Sequence, residues 1–364
     1  MKLYRLGIHK KELQFSKKSL NEVTYKRKDE LLENKCKIDK IDPNQWDISK
    51  KKNNSYEYIY TSSKRNHNIC NIIPVSRSYF KLHEIIRDFQ LLKNNIYCAC
   101  LAEGPGGFIH CLNDYSKTND ILINNIYGIT LISEDRRIPY WNQSILNNKK
   151  NIILFGKDKT GDLYKYKNIE DFISTINKNL CHLVTADGGF DYSDDYNSQE
   201  QSSYKLLYSE IYIALHIQKI NGNFILKVFD LFNYRTIQLL YLLYCHYSMI
   251  EIFKPLTSRT SNSEKYIVCS QFQGCPPQIK EILKEYYNKC EEFSIHVPQS
   301  FINEINSYND GFVENQISTI KEIVDNIQLS SVSSKSPSKQ QIMNAKRWCE
   351  LYDLPINQNC IYLE

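Results

Sequence analysis

The sequence predicts a doubly wound α/β fold, in which a mostly parallel β-sheet carries helices on both faces. Three observations support this prediction. The composition, with 42% apolar and 24% charged residues, is ordinary for a folded globular chain. From about residue 66 onward, apolar strand-like segments alternate with helical patterns. The last two strand-like segments are joined by a loop too short for a crossover helix, so the final strand should run antiparallel.

The predicted elements follow one another in a regular order. A helix comes first, because SRSYFKLHEIIRDFQLLKN has apolar residues at helical spacing. Those residues are Phe80, Leu82, Ile85, Ile86, Phe89 and Leu92. Seven strands are then predicted at 96–103, 126–132, 151–155, 182–187, 223–230, 249–254 and 265–272. Helical patterns lie between them at about 107–116, 168–179, 199–220 and 233–247. Only the seventh strand, after the loop PLTSRTSNSE, is expected to break the parallel order.

The two ends of the chain differ in texture from the middle. Residues 1–65 are lysine-rich and poorly periodic, and we expect a basic N-terminal extension that is a solvated arm or a loosely packed cover. A phosphate-holding role for this extension is the alternative. The α/β domain is expected over residues 66–290. Residues 291–364 are expected to form a helical C-terminal extension with a Ser/Lys/Pro linker near 329–339.

Composition limits the classes of protein to which the chain can belong. The net charge of +5 permits a polyanionic partner without demanding one. No apolar run approaches the roughly 20 residues that span a bilayer, and the N-terminus lacks the apolar core of a signal peptide. The 12 cysteines lie mostly in apolar segments, which favours thiols in a reducing compartment. We therefore expect an intracellular, cytoplasmic protein rather than a nuclear one, neither secreted nor bound to a membrane.

The motif AEGPGGF, from Ala102 to Phe108, follows an apolar strand and opens a helix. Glycines at such a turn let a ligand approach the backbone, and the helix N-terminus offers free N–H groups. A ligand carboxylate would suit those groups, while Glu103 would face an ammonium. The spacing fits neither a P-loop nor the G-x-G-x-x-G dinucleotide motif. A plain tight turn is the alternative, and the strand–turn–helix context favours a ligand site.

Four charged residues occur at positions where a buried strand or helix meets the ligand edge of such a sheet. Asp187, in TADGGF, ends a central strand, although a turn or helix-cap role would also place it there. Lys227, in FILKVFD, is costly inside a buried strand unless it is paired, functional or snorkelling. The polar loop TSRTSNS brings Glu264 to the start of the last strand. Lys81 alone would be an ordinary solvated helix lysine.

Together Lys81, Asp187, Lys227 and Glu264 resemble, in order and context, the K-D-K-E tetrad of the FtsJ-like RNA ribose 2′-O-methyltransferases. The resemblance covers about residues 74–272 and is strongest to the eukaryotic cap-specific mRNA nucleoside-2′-O-methyltransferases. Its further motifs are AEGPGGF, GITL, TADGGF, LKVFDLF and FKPLTSRTSNSEKYIVC. Similar enzymes occur in large DNA viruses, and a viral member would be expected in a virus factory or virion. The resemblance implies the S-adenosylmethionine methyltransferase variant of the fold, a Rossmann-like sheet of seven strands with an antiparallel last one.

The resemblance also implies a role for each candidate residue. The tetrad would be catalytic. S-adenosylmethionine would be held by Glu103, Gly104, Pro105, Gly106, Gly107, Phe108, Thr130, Asp162 and Asp187. Arg77 and Arg259 would meet RNA phosphates, and Tyr79, Phe190 or Tyr192 would stack on a base. Thr130 stands where bacterial members use an Asp for the ribose of the cofactor, which favours a cap over a ribosomal substrate.

The implied reaction is an in-line displacement, in which a ribose 2′-hydroxyl attacks the sulfonium methyl. Lys227 is the expected base. Free lysine has a pKa of about 10.4; burial and the nearby ammonium of Lys81 should lower it, while Asp187 and Glu264 partly oppose that shift. No metal is expected. The cysteines and histidine that could suggest zinc straddle a strand and the glycine turn: Cys98, Cys100, His110 and Cys111.

The leading hypothesis is cap-1 formation on the first transcribed nucleotide. Its partners would be capped RNA and other capping or transcription proteins. A ribose methyltransferase of ribosomal or other internal RNA sites is the first alternative. A non-catalytic RNA- or cap-binding subunit is the second, and the intact tetrad argues against it, because an inactive copy would be free to lose Lys227.

Overall fold

The computed structural model describes residues 2–16, 22, 24–189, 198–289, 293–329 and 336–363. Within these ranges the strands are β1 (Leu3–Arg5), β2 (Ile96–Leu101), β3 (Ile123–Ile129), β4 (Asn151–Ile153), β5 (Cys181–Ala186), β6 (Gln218–Val228), β7 (Tyr247–Phe253) and β8 (Lys265–Phe272). They form one sheet in the order β1-β7-β8-β6-β5-β2-β3-β4.

The helices surround this sheet. They are α1 (Lys28–Lys35), α2 (Pro43–Asn53), α3 (Ser78–Phe89), α4 (Gly107–Thr118), α5 (Gln143–Asn147), α6 (Tyr166–Ile176), α7 (Gln199–Ile217), α8 (Tyr234–His246), α9 (Pro277–Lys289), α10 (Gln299–Leu329) and α11 (Lys339–Leu351). Short 3₁₀ turns occupy Ile38–Lys40, Glu57–Ile59 and Arg65–His67. None of the helices in the described ranges is both long and apolar enough to cross a membrane.

Strand pairing confirms the predicted mostly parallel sheet with an antiparallel last strand. The neighbours β6-β5-β2-β3-β4 are all parallel. The last strand, β8, lies between β6 and β7 and is antiparallel to both. The prediction of seven strands was one too few, because β1 adds an antiparallel edge to β7. A strand of three residues at a sheet edge leaves no periodic signal in a lysine-rich segment.

Side chains alternate between the two faces of the sheet, as the period of a strand requires. On β5, Val184 joins the core that contains α6, α7 and α8, whereas its neighbour Leu183 joins the core that contains α3 and α4. On β6, Phe224 and Ile225 divide in the same way. Both faces are therefore fully covered, which explains why the central strands were visible as nearly continuous apolar runs.

The sheet has a topological switch point between β2 and β5. From β2 the chain continues outward to β3 and β4, and it then returns to β5 and β6 on the other side. Folds of this kind bind ligands in the crevice outside the carboxyl ends of the two strands at the switch. The loops that follow β2 and β5 are therefore the first places to look for a functional site.

The N- and C-terminal segments are packed onto this sheet. A third core joins Leu31 of α1 to Phe232 of the sheet domain and to Val313 and Ile317 of α10. Trp348 of α11 is 1% exposed, and the centroid of its ring lies 5.7 Å from that of Phe80 on α3. Of the two expectations for the N-terminal extension, a solvated arm does not describe Leu31, whereas a packed cover agrees with it. The contacts of α1 are with distant parts of the chain, which no local pattern reveals.

Candidate active site

The four charged residues of the predicted tetrad form two ion pairs. Lys81 Nζ lies 2.7 Å from Glu264 Oε1 and 2.9 Å from its Oε2. Lys227 Nζ lies 3.3 Å from Asp187 Oδ1 and also donates to the Asp187 main-chain oxygen at 2.6 Å. All four side chains are mostly buried, with exposed fractions between 9% and 16%.

Strand register brings the two pairs together. Asp187 follows directly after β5, whose last residue Ala186 pairs with Leu226, so Asp187 comes level with Lys227. Across the antiparallel neighbour, Lys227 pairs with Tyr266, and Glu264 precedes Tyr266 by two positions. Residues two apart on a strand share a face. The sheet thus places an amine and two carboxylates on one side.

Helix α3 completes this arrangement by carrying Lys81 to Glu264. Its position is fixed by Glu84, one turn further along the helix, which is fully buried. The Glu84 carboxylate accepts hydrogen bonds from the backbone N–H groups of Leu256 and Thr257, both at 2.8 Å, and from the Thr257 hydroxyl at 2.7 Å. Glu84 therefore ties α3 to the loop 254–264 that presents Glu264.

Lys254 holds the other end of that loop. Its Nζ donates to the main-chain oxygens of Asn262 at 2.6 Å and Glu264 at 2.7 Å. Burial lowers the pKa of Lys254 to about 7, and the nearby Glu264 opposes that shift. The sequence pattern assigned Lys254 only to a strand end, and nothing local to it signalled a contact with Glu264.

Tyr266 is a further residue of the site that the sequence analysis missed. It is fully buried, and its hydroxyl donates to Asp187 Oδ1 at 2.9 Å. Burial, together with the charges of Asp187 and Glu264, raises the pKa of Tyr266 well above its ordinary value, so the hydroxyl keeps its proton. Strand alternation from Glu264 could have found this residue.

Two glycines allow the loop after β5 to approach Glu210 and Lys227 closely. A Cβ on Gly189 would lie 3.1 Å from Lys227 Nζ, closer than almost all side-chain contacts. A Cβ on Gly188 would lie 2.4 Å from Glu210 Oε1, so the Glu210 side chain would have to move. In TADGGF, Gly189 therefore lets the chain pass close to the Lys227 amine, and Gly188 lets it pass close to Glu210.

The pKa of Lys227 differs from the expectation. Burial lowers the pKa of Lys227, but Asp187 and Glu264 outweigh burial and the net shift is upward. The prediction that the pKa of Lys227 falls was wrong in direction, because both carboxylates act on the same amine. Burial would raise the pKa of Glu264, yet Lys81 and Lys227 lower it to about 2, so this carboxylate is ionised at neutral pH.

The glycine motif forms the loop from β2 into α4, at the switch point. The Glu103 carboxylate accepts hydrogen bonds from the N–H groups of Phe108 at 2.6 Å and Ile109 at 3.5 Å, so it caps α4. Burial raises the pKa of Glu103 well above its ordinary value. Gly106 has a φ of 110°, a conformation that suits glycine. The role of Glu103 toward a ligand ammonium stays a prediction.

The other residues predicted to hold S-adenosylmethionine lie next to this loop. Thr130 Oγ1 accepts a hydrogen bond from Gly104 N at 3.1 Å. A Cβ on Gly161 would lie 1.8 Å from the Thr130 main-chain oxygen, so the turn that carries Asp162 packs directly against Thr130. Asp162 Oδ1 accepts from Tyr164 N at 2.8 Å, which fixes that turn. The structure thus brings the loops after β2, β3 and β4 together.

The two predicted phosphate-binding arginines share one carboxylate. Arg259 donates to Glu57 Oε2 at 3.1 Å and to its Oε1 at 2.9 Å, and Arg77 Nη1 lies 3.3 Å from Oε1. Burial would raise the pKa of Glu57, but the two guanidiniums lower it. Glu57 is distant in sequence from Arg259, so no local pattern could reveal this contact.

The predicted base-stacking residues have different outcomes. Tyr79 is only 1% exposed, and its hydroxyl donates to Asp114 Oδ2 at 3.2 Å. The prediction that Tyr79 stacks on a base was therefore wrong: its ring packs against Phe80 and His110 in the core. Phe190 and Tyr192 lie outside the described residues.

The cysteines and histidine considered for zinc do not meet as a ligand set. The described part of the chain contains no group of three or more His, Cys, Asp or Glu side chains that could hold a metal ion. Cys98, Cys100 and Cys111 are free and buried. Burial raises the pKa of each thiol well above its ordinary value, which disfavours the thiolate that a metal needs.

Comparison with known proteins decides the family. The family described as FtsJ-like methyltransferase matches residues 74–272. The chain belongs to the FtsJ-like methyltransferase family. This family confirms the predicted fold and the resemblance seen in the tetrad motifs, and the match covers the segment between α3 and the end of β8.

Relatives of this FtsJ-like chain carry names that concern the mRNA cap. It is 32% identical, over 68% of its length, to "Cap-specific mRNA (nucleoside-2'-O-)-methyltransferase 2" of Danio rerio, covering 36% of that protein. It is 29% identical, over 84% of its length, to methyltransferase 1 of the same name from Dictyostelium discoideum, covering 44%. The chain therefore spans less than half of these two relatives. A viral relative is "Cap-specific mRNA (nucleoside-2'-O-)-methyltransferase" of Autographa californica nuclear polyhedrosis virus, which is 27% identical. That match covers 70% of this chain and 86% of the viral protein.

Proposed function

We propose that the protein is an S-adenosylmethionine-dependent mRNA cap ribose 2′-O-methyltransferase that acts on the first transcribed nucleotide. The observation that carries the proposal is the meeting of two lysine–carboxylate pairs at the carboxyl edge of the sheet. They lie beside the glycine loop at the switch point. The names of the relatives support a cap substrate.

The donor would be held by the loops after β2, β3 and β4. The glycine loop lies at the switch point where this fold binds ligands, and Thr130 and Asp162 stand next to it. The glycine loop, the Thr130 hydroxyl and the Asp162 carboxylate offer polar groups for the amino-acid and adenosine ends of such a ligand. When bound, S-adenosylmethionine supplies the methyl group that the ribose oxygen accepts.

Lys227 would receive the proton of the ribose 2′-hydroxyl. Its contact with Asp187 Oδ1 is longer than the contacts that Lys81 makes with both oxygens of Glu264, and the neutral form of the amine has the lone pair that takes this proton. Asp187 is itself held by Tyr266, so the direction of the amine is fixed. A well-oriented pair of reactants can gain about 7 kcal/mol or more from positioning.

Lys81 and Glu264 would serve the reaction through charge and placement. Lys81 adds a second positive charge near the hydroxyl, and Glu264 keeps the two ammonium groups from repelling each other. Because its pKa is about 2, Glu264 stays ionised over the whole range in which the protein would work. No metal-bound group is needed for this assignment.

We also propose domain bounds, partners and a site of action for the protein. We place the methyltransferase domain at residues 66–290, with a basic N-terminal extension before it and a helical C-terminal extension at 291–364. Capped RNA is the proposed partner, with other capping or transcription proteins as further ones. A cytoplasmic site of action is part of the same proposal.

Methyl transfer to short RNAs tests the proposal directly. Three RNAs of one sequence are compared, with an N7-methylated cap, with an unmethylated cap and with no cap, and the product is mapped by nuclease digestion. We expect methylation of the ribose of the first nucleotide in capped RNA. Equal transfer to uncapped RNA would reject the cap assignment and favour an internal ribose as the target.

A further inference from the structure

Glu57 is a buried carboxylate that gathers two arginines beside the catalytic residues. It begins the 3₁₀ turn Glu57–Ile59 and is 1% exposed. Both of its oxygens accept hydrogen bonds from Arg259, in a two-pronged pair, and Arg77 approaches Oε1. Arg77 also donates to the main-chain oxygen of Tyr60. One negative charge thus faces two positive charges.

Glu57 belongs to the N-terminal extension, and the C-terminal extension helps to hold it in place. Asn54 Nδ2 donates to Glu57 Oε2 at 2.8 Å. The side chain of Gln341 on α11 donates to the main-chain oxygens at the end of α2, at 3.0 Å to Lys51, 3.0 Å to Lys52 and 2.8 Å to Asn54. A chain of contacts therefore runs from α11 through α2 to Glu57.

The two arginines lie close to the catalytic residues and reach solvent. Arg77 precedes Lys81 by one helical turn, and Arg259 lies on the loop 254–264 that presents Glu264. Their side chains are 29% and 26% exposed, whereas that of Glu57 is 1% exposed. The carboxylate therefore lies inside the protein, and the two guanidiniums lie between it and the solvent. The two arginines and one glutamate carry a net charge of about +1 at neutral pH.

We propose that Glu57 is a positioning residue for RNA, which sets Arg77 and Arg259 side by side so that they bind one RNA phosphate next to the reacting ribose. Guanidinium groups bind phosphate oxygens in the same forked geometry that they use for carboxylates. The inference rests on the proposed function, because it assigns the substrate contact of the same site. It also gives the two extensions a task in substrate binding.

The substitution Glu57→Gln separates positioning from simple charge. Glutamine keeps the size of the side chain and removes one negative charge, so charge alone predicts tighter binding of RNA. Positioning predicts the opposite, because the two guanidiniums lose the group that orients them. We expect about tenfold weaker binding of a short capped RNA, in fluorescence anisotropy, with the affinity for S-adenosylmethionine unchanged. Unchanged or tighter RNA binding would overturn the inference.

A matched control is Glu251→Gln. Glu251 is also 1% exposed and also pairs with an arginine, Arg5, but it lies on β7 at the β1 edge of the sheet. We expect E251Q to leave RNA binding unchanged at a temperature below its melting temperature. If E251Q weakened RNA binding as much as E57Q, the effect would be a general loss of stability and the inference would fall.

A double-mutant cycle tests whether Glu57 acts through Arg259. If it does, Arg259→Ala should weaken RNA binding in the wild-type background and add little in the E57Q background. Fully additive losses would contradict the inference. Should E57Q not fold, Asn54→Ala is measured instead, because it keeps all three charges. A rise in KM for RNA at constant kcat is expected for it, and an unchanged KM counts against the inference.

Failure of this inference and failure of the proposed function are distinguishable. The anisotropy assay uses capped and uncapped RNA and requires no methyl transfer. A chain that binds RNA through Glu57 but methylates none of the RNAs would refute the proposed function alone. If the wild type methylates capped RNA and E57Q binds this RNA with the same affinity and the same KM, the inference alone is refuted.

Discussion

Lys227 and Lys81 are both held by carboxylates, and Lys227 is the one that we propose as the base. Lys81 contacts both oxygens of Glu264, whereas Lys227 contacts a single side-chain oxygen of Asp187 and faces Gly189. The proposed base is therefore the lysine with the longer contact to a carboxylate. Sequence reasoning could name both lysines but could not rank them by their contacts.

Replacing Lys227 with alanine tests this assignment. We expect methyl transfer to fall by about 10²-fold to 10⁴-fold, the usual contribution of a general base, while S-adenosylmethionine still binds in isothermal calorimetry. Lys219→Ala is the control, because Lys219 is an exposed lysine on the same strand and pairs with His182 at 3.1 Å. Unchanged turnover of K227A would remove Lys227 from its role.

The pH dependence of transfer should carry the sign of the Lys227 shift. A lysine base works only in its neutral form, and the upward shift of its pKa makes that form rare at neutral pH. The neutral fraction grows about tenfold per pH unit below the pKa. We expect single-turnover rates to rise continuously between about pH 6.5 and about pH 9, while Glu264 stays ionised. A plateau that begins near neutral pH would contradict an amine with a raised pKa.

At the scale of elements, strand periodicity explains which predictions succeeded. The central predicted strands were nearly continuous apolar runs, because both faces of the central sheet are buried. β1 and the packing of α1 on α10 left no such signal, since each depends on partners far away in the chain. The contact between Glu57 and Arg259 escaped for the same reason, whereas Tyr266 could have been found from its spacing to Glu264.

The turn 160–162 offers a test of how the loops of the proposed donor site depend on one another. Gly161 has a φ of 64°, and a Cβ there would lie 1.8 Å from the Thr130 main-chain oxygen. In Gly161→Ala the turn must move away from Thr130 and adopt a strained backbone. We expect the free energy of unfolding to fall by about 1–3 kcal/mol and S-adenosylmethionine to bind about tenfold more weakly.

The control for this substitution is Gly7→Ala. Its Cβ would lie 3.4 Å from Glu304 Oε1, an ordinary contact, and Gly7 is far from the donor site in the N-terminal segment. Calorimetry should show wild-type affinity for S-adenosylmethionine in G7A. Equal affinities for G161A and wild type would separate the turn from the donor site.

At the scale of the whole molecule, the extensions and the FtsJ-like domain form one packed body. The chain of contacts from Gln341 through Asn54 to Glu57 ends at the arginines beside the tetrad. On another side, α10 reaches the loop that presents Glu264, since Gln316 donates to the main-chain oxygen of Ser261 at 3.0 Å. The extensions therefore support the loop and the arginines at the site.

Trp348 offers a test of whether the extensions and the FtsJ-like domain unfold together. Its ring is 1% exposed and packs between Phe80 of α3 and Tyr352, so Trp348→Ala leaves a large cavity behind the helix that carries Lys81. Such a change usually costs about 3–5 kcal/mol. We expect a single unfolding transition in urea whose midpoint is much lower than that of the wild type.

Leu351→Ala is the control within the same helix, because Leu351 is 65% exposed and should cost little. If α11 were an independent appendage, W348A would instead unfold in two steps, with the second step at the wild-type midpoint. That outcome would refute the packed body, because the methyltransferase domain would then be stable without its C-terminal helix. A lower midpoint in one cooperative transition would show that α11 and α3 unfold together.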